Sequence, residues 1–297
     1  EMRNPQRDLP LAVLLVVIGQ TLIYILFAVA YVASVNWSAF GVKPGDWEDL
    51  TMITSAYNPV MFMAGKYGIT YLLAVATIVG ILGPFVVGYI YLGAGSRVLF
   101  SMYRSKYVGA RVGEIHEKYA IPYWALIIFG LAGLVLALLS PIPTVYTIIE
   151  EAVVAGYLGF SVVPVSLVVS RRQGLSGIYK IPAPAIIGAL AFIFATWIIY
   201  WSGWPATPYG VLLVFVLSII FGVIYKVKAG LKNSIWYIVY MLAMVLMTYI
   251  GQTAGGPMPI LKFPWDMVTV TILAIVFYVW GIYSGLPKPY ETPPVKS

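Results

Sequence analysis

The stretch LPLAVLLVVIGQTLIYILFAVAYVASV, residues 9–35, decides the fold because it contains no charged side chain. A helix rises 1.5 Å per residue, so about 20 apolar residues cross the roughly 30 Å of bilayer hydrocarbon. The apolar residues run continuously instead of alternating at every second position, which indicates a helix and not a barrel strand. Residues 9–35 are therefore predicted to form a transmembrane helix.

The same pattern recurs along the chain, which is 61% hydrophobic and 10% charged over 297 residues. Soluble domains contain about 25% charged residues, so this composition excludes a soluble globular protein. Eight segments are long enough, or nearly long enough, to cross the hydrocarbon layer. The sequence predicts an all-α polytopic membrane protein with about eight transmembrane helices, at residues 9–35, 69–92, 123–139, 146–169, 185–201, 209–225, 235–250 and 267–282.

Several chemistries are excluded by residue counts. The chain has no cysteine, which rules out disulfides, thiolate metal sites, iron–sulfur clusters and cysteine nucleophiles. Its single histidine, His116, rules out paired-histidine haem and multi-histidine copper sites unless a partner chain supplies the other ligands. We interpret His116 as a solvated loop residue. No phosphate-binding glycine loop or catalytic triad is present, so no enzyme activity, cofactor or metal is predicted.

The net charge of +7 is informative through its placement. Fifteen of the eighteen Lys and Arg residues fall in alternate connections that include both termini, and Lys43, Lys66 and Lys262 fall in the others. Positively charged loops are retained in the cytoplasm, so both termini are predicted to be cytoplasmic. The basic charge therefore indicates topology, and contact with anionic lipid headgroups, in preference to nucleic acid.

The first ten residues, EMRNPQRDLP, form a motif ahead of the first span. Asn4-Pro5 favours a turn, and Pro10 is expected in the first turn of the helix that follows. With Glu1, Asn4, Pro5, Arg7 and Pro10, this segment resembles the E-x-x-N-P-x-R-x-[IL]-P signature that permeases of the amino acid-polyamine-organocation (APC) superfamily carry between their sixth and seventh helices.

Two later stretches are similar to the same family. Residues 96–104, which include Ser96, Arg97 and Arg104, resemble the segment after the family's eighth helix, and residues 114–122, which end at Pro122, resemble the lead into its ninth. Residues 171–182 match the basic loop after the tenth helix more weakly. The sequence departs from the family at residues 105–106, where Ser-Lys replaces a frequent Asp-Gly, so the subfamily is left undetermined.

The resemblance implies that the eight spans are helices seven to fourteen of a fourteen-helix permease. Such permeases contain two inverted five-helix repeats and hold substrate where the first and sixth helices break near the midplane. On this mapping residues 1–182 are part of the second repeat, residues 183–285 form four peripheral helices, and residues 286–297 are a cytoplasmic tail.

The expected function is secondary active transport of amino acids across the plasma membrane by alternating access. This chain is then the C-terminal part of the permease, and the missing N-terminal helices lie in the same or another chain. The alternative is a permease-derived scaffold or accessory subunit that does not transport. An ion channel is a weaker alternative, because no span contains a filter sequence.

Glu150 and Glu151 are the candidate gate or proton-coupling residues. An ionisable side chain inside a bilayer is costly and is by default a functional hypothesis. Adjacent helical positions diverge by about 100°, so at most one of the two faces the substrate path. The alternative is that the span starts later, which leaves both carboxylates in the headgroup region.

The candidate residues lining the substrate path are Thr77, Gly80 and Tyr146. The second span is rich in glycine, as is expected of a helix that packs closely beside a moving bundle, although close packing alone also explains such a composition. Residues 36–68 are predicted to be an outer loop with a short interfacial helix, carrying acidic residues near Trp47. This loop either shapes the outer vestibule or caps the helix ends.

Overall fold

The computed structural model describes residues 4–46, 49, 59–174, 181–225 and 231–285. Glu1, Trp47, Glu48 and the tail 286–297 lie outside these residues. Within them the chain forms α-helices, one 3-10 helix at Ala110–Gly113 and no strand longer than an isolated bridge. The α-helices are α1 (Pro5–Ser34), α2 (Trp37–Phe40), α3 (Pro59–Lys66), α4 (Thr70–Arg104), α5 (Tyr123–Leu139), α6 (Pro143–Arg172), α7 (Pro184–Trp201), α8 (Ala206–Tyr225), α9 (Leu231–Ile250) and α10 (Trp265–Ser284).

Each of the eight predicted spans is a helix, so the all-α polytopic architecture is confirmed. Seven of these helices are long and apolar enough to cross a membrane, and α5, with 17 residues, is the shorter eighth. The helix α3 lies in the predicted outer loop, and its interfacial position stays a prediction. Continuous apolar sequence is sufficient to specify these elements, because only a helix satisfies every backbone donor and acceptor in lipid.

The first helix begins earlier than predicted, at Pro5 instead of residue 9. Asn4 has non-helical backbone angles (φ −133°, ψ 77°), and Pro5 follows it at the first helical position, where its missing N–H costs nothing. Pro10 consequently lies inside α1 and not in its first turn, which corrects the expectation from sequence.

Helix α4 is longer than predicted and ends at Arg104 instead of residue 92. Its 35 residues extend over about 52 Å at 1.5 Å per residue. Glycine lowers helix stability by about 1 kcal/mol without ending a helix, so the glycines at 93 and 95 do not break it. Ser96, Arg97 and Arg104 are therefore helical residues and not loop residues.

The chain divides into two compact units, Glu1–Gly130 and Leu131–Ser297. In the first unit α3 packs on α4, and a small apolar cluster centres on Val42 and Met63. Further along α4, a Cβ atom at Gly95 would lie 2.3 Å from the ring of Phe129, so glycine permits α5 to approach at that position.

The second unit is a helical bundle in which α6 packs on α7 and α8, and α10 packs on α7 and α9. Its core contains buried Phe192, Tyr240 and Phe277, with the Tyr240 ring 5.2 Å from Phe192 and 5.5 Å from Phe277 between centroids. Helix α6 thus belongs to the same compact unit as the four later helices. The predicted repeat boundary after residue 182 stays a prediction.

Candidate functional site

The carboxylate of Glu151 lies within a packed helix. Glu151 follows the start of α6 at Pro143 by eight residues, which is about 12 Å along the helix axis. Its exposed fraction is 7%, and no hydrogen bond or ion pair joins it to another described residue. The side chain of Glu150 lies outside the described part of the chain. The helix begins three residues before the predicted start at 146, not after it.

Among the described residues, every side-chain oxygen or nitrogen that solvent cannot reach has a hydrogen-bond partner. Because Glu151 has no partner in the described part of the chain, its carboxylate retains a small accessible surface within a residue that is otherwise enclosed.

Helix α8 packs against α6 about one turn beyond Glu151. A Cβ atom at Gly210 would lie 2.8 Å from the Cβ of Val154, three residues after Glu151. Thr207, also on α8, is fully buried, and its hydroxyl donates to the carbonyl of Ile199 over 2.9 Å. The backbones of α6 and α8 therefore approach each other closely near Glu151.

The predicted lining residues lie on two helices. Tyr146 is in the first turn of α6 with half of its side chain exposed. Thr77 and Gly80 are on α4, where the half-buried Thr77 donates its hydroxyl to the carbonyl of Leu73 over 2.8 Å. No described atom lies within 4 Å of a Cβ placed at Gly80, so open space adjoins this position.

The motif residues occupy helix ends and one helix interior. At the start of α1 the amide of Asn4 donates to Oδ2 of Asp8 over 3.3 Å, while Arg7 is exposed. Ser96 is buried in α4 and donates to the carbonyl of Gly93 over 2.8 Å. The carbonyl of Pro122 accepts from the amide of Leu126 over 3.0 Å in the first turn of α5.

One buried acidic residue, Asp266, was not among the sequence-based candidates. It is fully buried at the start of α10 and accepts from the Tyr200 hydroxyl and the Thr253 amide, each over 2.8 Å, and from the Met267 amide over 2.7 Å. The predicted span began at residue 267, one position later. The available signal was an acidic residue at the first turn of an apolar helix, where the helix dipole favours negative charge.

An apolar cavity of about 320 Å³ lies in the first unit, beside the end of α1. Its lining includes Phe27, Tyr31, Met63, Tyr67 and Leu72. Its polar groups include the hydroxyl of Tyr67, which donates to the carbonyl of Ser34 over 2.7 Å and is therefore already engaged. The described residues contain no group of three or more His, Asp or Glu that would hold a metal ion.

The long apolar helices define a multi-pass α-helical membrane protein. A family model described as "Amino acid permease" matches residues 1–199. The chain belongs to this amino acid permease family.

Three similar proteins come from Bacillus subtilis (strain 168). The chain is 27% identical over 300 residues to the glutamate/serine transporter AimA, covering 98% of this chain and 54% of that protein. It is 26% identical to the aspartate-proton symporter, covering 97% of this chain and 56% of the relative. It is 24% identical to the branched-chain amino acid permease BcaP, covering 69% of this chain and 41% of the relative.

The chain spans about half the length of the first two of these relatives. No solved structure matches it.

Proposed function

We propose that this chain is the C-terminal part of a secondary active transporter that carries amino acids across the plasma membrane by alternating access. The observation that carries the proposal is the family match over residues 1–199, which includes the motif at the start of α1 and all of α4 to α6. Alternating access is supported by the permease resemblance, in which one helical repeat moves against the other.

The substrate proposed is an amino acid, with proton coupling through Glu151. The named functions of the relatives support the substrate class, since all three carry amino acids and one is named a proton symporter. Glu151 supports the coupling because it is an enclosed carboxylate with no partner among the described residues. An ionisable side chain within a membrane-spanning helix is costly and is by default a functional hypothesis, which is the basis for assigning the proton to Glu151. Glu150 is retained as the adjacent candidate.

We further propose that Thr77, Gly80 and Tyr146 line the path of the substrate. Thr77 keeps its hydroxyl lone pairs after donating to Leu73, and Gly80 leaves room beside it for a ligand. The exposed Tyr146 supplies an aromatic face one helical turn before Glu150.

The remaining helices of the permease are proposed to cover α1 and α4. The most apolar 18-residue stretch of each of these two helices contains no buried residue. In the corresponding stretches of α6, α7, α9 and α10, 28–33% of the residues are buried. The chain also spans only about half the length of its relatives. We propose that the covering helices precede this segment, in the same or another chain, and that both termini of the segment are cytoplasmic, as the distribution of Lys and Arg predicts.

Uptake into proteoliposomes tests the proposal. The chain alone and the longer permease containing it are each reconstituted, and uptake of labelled glutamate, aspartate, serine and leucine is followed with and without an inward-directed proton gradient. We expect accumulation by the longer protein that a protonophore abolishes, and none by the chain alone. Absence of any amino acid flux from the longer protein would overturn the proposal and favour the scaffold alternative. Uptake by the chain alone would overturn the requirement for further helices.

A further inference from the structure

The connection between α4 and α5, residues 105–122, is folded and tied to both helices. After the 3-10 helix, the His116 amide donates to the carbonyl of Ile121 over 2.8 Å and closes a reverse turn. The carboxylate of Glu114 accepts from the Tyr123 hydroxyl over 2.7 Å and from Trp124 Nε1 over 2.9 Å. The turn at residues 115–121, which we call the basic turn, is therefore fixed beside the first turn of α5.

The ends of the adjoining helices place the basic turn close to the membrane surface. Tyr123 and Trp124 begin the apolar helix α5 and direct their polar atoms to Glu114. Tyr and Trp with one apolar and one polar end are typical of the membrane–water interface. On the other side, the ring of Tyr103 in the last turn of α4 occupies the space that a side chain at Gly113 would need.

Large apolar side chains point outward from the basic turn. Ile115 is 53% exposed and Tyr119 is 61% exposed, and Ile121 lies beside them in the same turn. Isolated exposed apolar residues are ordinary, but three within seven residues form a patch that needs a partner surface. None of the three is covered within the described residues of its own unit.

Basic residues outnumber acidic ones in the connection that carries this patch. Residues 104–122 contain two acidic residues, Glu114 and Glu117, against four exposed basic ones, which are Arg104, Lys106, Arg111 and Lys118. The ammonium of Lys118 lies 5.2 Å from the ring centroid of Tyr119, so cation and aromatic group share one face. Apolar and basic side chains in one folded connection next to a transmembrane helix match the membrane boundary, where acyl chains meet anionic headgroups.

We propose that the basic turn binds anionic phospholipid headgroups of the membrane that α4 and α5 cross. Ile115, Tyr119 and Ile121 enter the boundary between headgroups and acyl chains, while the basic side chains contact lipid phosphates. Clusters of Lys and Arg directly beside a transmembrane helix are attracted to anionic lipid in this way, and the attraction weakens with salt. This binding does not depend on the transported substrate.

The absence of cysteine from these 297 residues makes a site-specific test straightforward, because one introduced cysteine is the single labelling position in this chain. The protein is prepared with Tyr119→Cys or with Ile115→Cys, labelled with an environment-sensitive fluorophore, and reconstituted in phosphatidylcholine or in a mixture with phosphatidylglycerol. We expect a blue shift and stronger emission in the anionic membrane at both positions. High salt, or combined Lys106→Gln, Arg111→Gln and Lys118→Gln substitutions, should reverse the shift.

A label at Gln252, an exposed residue of the loop between α9 and α10, is the control and should respond equally to both lipids. Emission at Tyr119 and Ile115 that is the same in both membranes would overturn the proposal. If that common emission is blue-shifted, the turn inserts through its apolar side chains without recognising anionic headgroups. A blue shift in the anionic membrane that persists after the combined Lys106→Gln, Arg111→Gln and Lys118→Gln substitutions would also overturn the proposal.

Discussion

The hydroxyl of Tyr200 donates a 2.8 Å hydrogen bond to Oδ2 of Asp266, and neither side chain is exposed. This bond joins the end of α7 to the start of α10. The amide of Thr253 donates to the same oxygen, so the loop between α9 and α10 is fastened at the same point. In that loop, the carbonyl of Ala254 accepts from the amide of Trp204, which ties in the connection between α7 and α8. The Asp266 carboxylate thus joins α7, α10 and the loop between α9 and α10 at one end of the bundle.

Replacing Tyr200 with phenylalanine should destabilise the second unit. The change removes one donor from a buried carboxylate, and a hydrogen bond to a charged group contributes about 1.5–3 kcal/mol. We expect a lower thermal unfolding temperature of the purified protein in detergent. Tyr209→Phe, at an exposed position on α8, is the matched control and should leave the transition in place. Equal transitions for the two variants would show that the bond contributes nothing to stability.

Enlarging Gly210 should separate α8 from α6. In Gly210→Val the new Cβ would lie 2.8 Å from the Cβ of Val154, and overpacking of this kind costs about 1–3 kcal/mol. Gly222→Val introduces the same side chain on the same helix where no described atom lies within 4 Å. Thermal unfolding of both variants checks the prediction, which fails if Gly222→Val is as destabilising as Gly210→Val.

Neutralising Glu151 should uncouple transport from the proton gradient. Glu151→Gln keeps the shape of the side chain but cannot exchange a proton, so gradient-driven accumulation should fall at least about fivefold, the lower range of coupling between two ligands. Exchange of labelled for unlabelled amino acid without a gradient should persist. Glu117→Gln, in the exposed basic turn, makes the same chemical change and should leave accumulation intact. Unchanged gradient dependence in Glu151→Gln would rule out this residue as the coupling site.

Removing the hydroxyl of Tyr67 should loosen the end of α1. This oxygen donates to the carbonyl of Ser34 over 2.7 Å and accepts from the amide of Asn36 over 3.0 Å. Tyr67→Phe should lower the local opening free energy by about 1 kcal/mol, seen as faster hydrogen exchange at residues 34–36. Tyr71→Phe, at an exposed position on α4, should not change exchange there. Identical exchange rates in the wild type and Tyr67→Phe would contradict the prediction.

The sequence predicted the eight long helices because lipid leaves the backbone no alternative to a helix along a continuous apolar run. It placed Glu151 well inside its helix for the same reason. It did not predict the length of α4, because the span was placed at residues 69–92 and Arg97 and Arg104 were assigned to the connection that follows it. Glycine weakens a helix without ending it, and contact with Phe129 at Gly95 lies between segments that are distant in sequence.

Asp266 was missed for a different reason. A carboxylate becomes a buried junction only when donors from α7 and from the preceding loop converge on it, and neither Tyr200 nor Thr253 is near it in sequence. The close approach of Gly210 to Val154 is likewise a property of two helices. Such relationships depend on tertiary packing, whereas the predicted elements depend on local composition.

The 35 residues of α4 have a mechanical consequence. Transmembrane helices incline by up to about 40° from the bilayer normal, and at that inclination a 52 Å rod still rises about 40 Å. This exceeds the roughly 30 Å of hydrocarbon, so about two turns stand clear of it. The contact between Tyr103 and Gly113 couples the connection that follows to this helix, so a change in the inclination of α4 also changes the position of that connection.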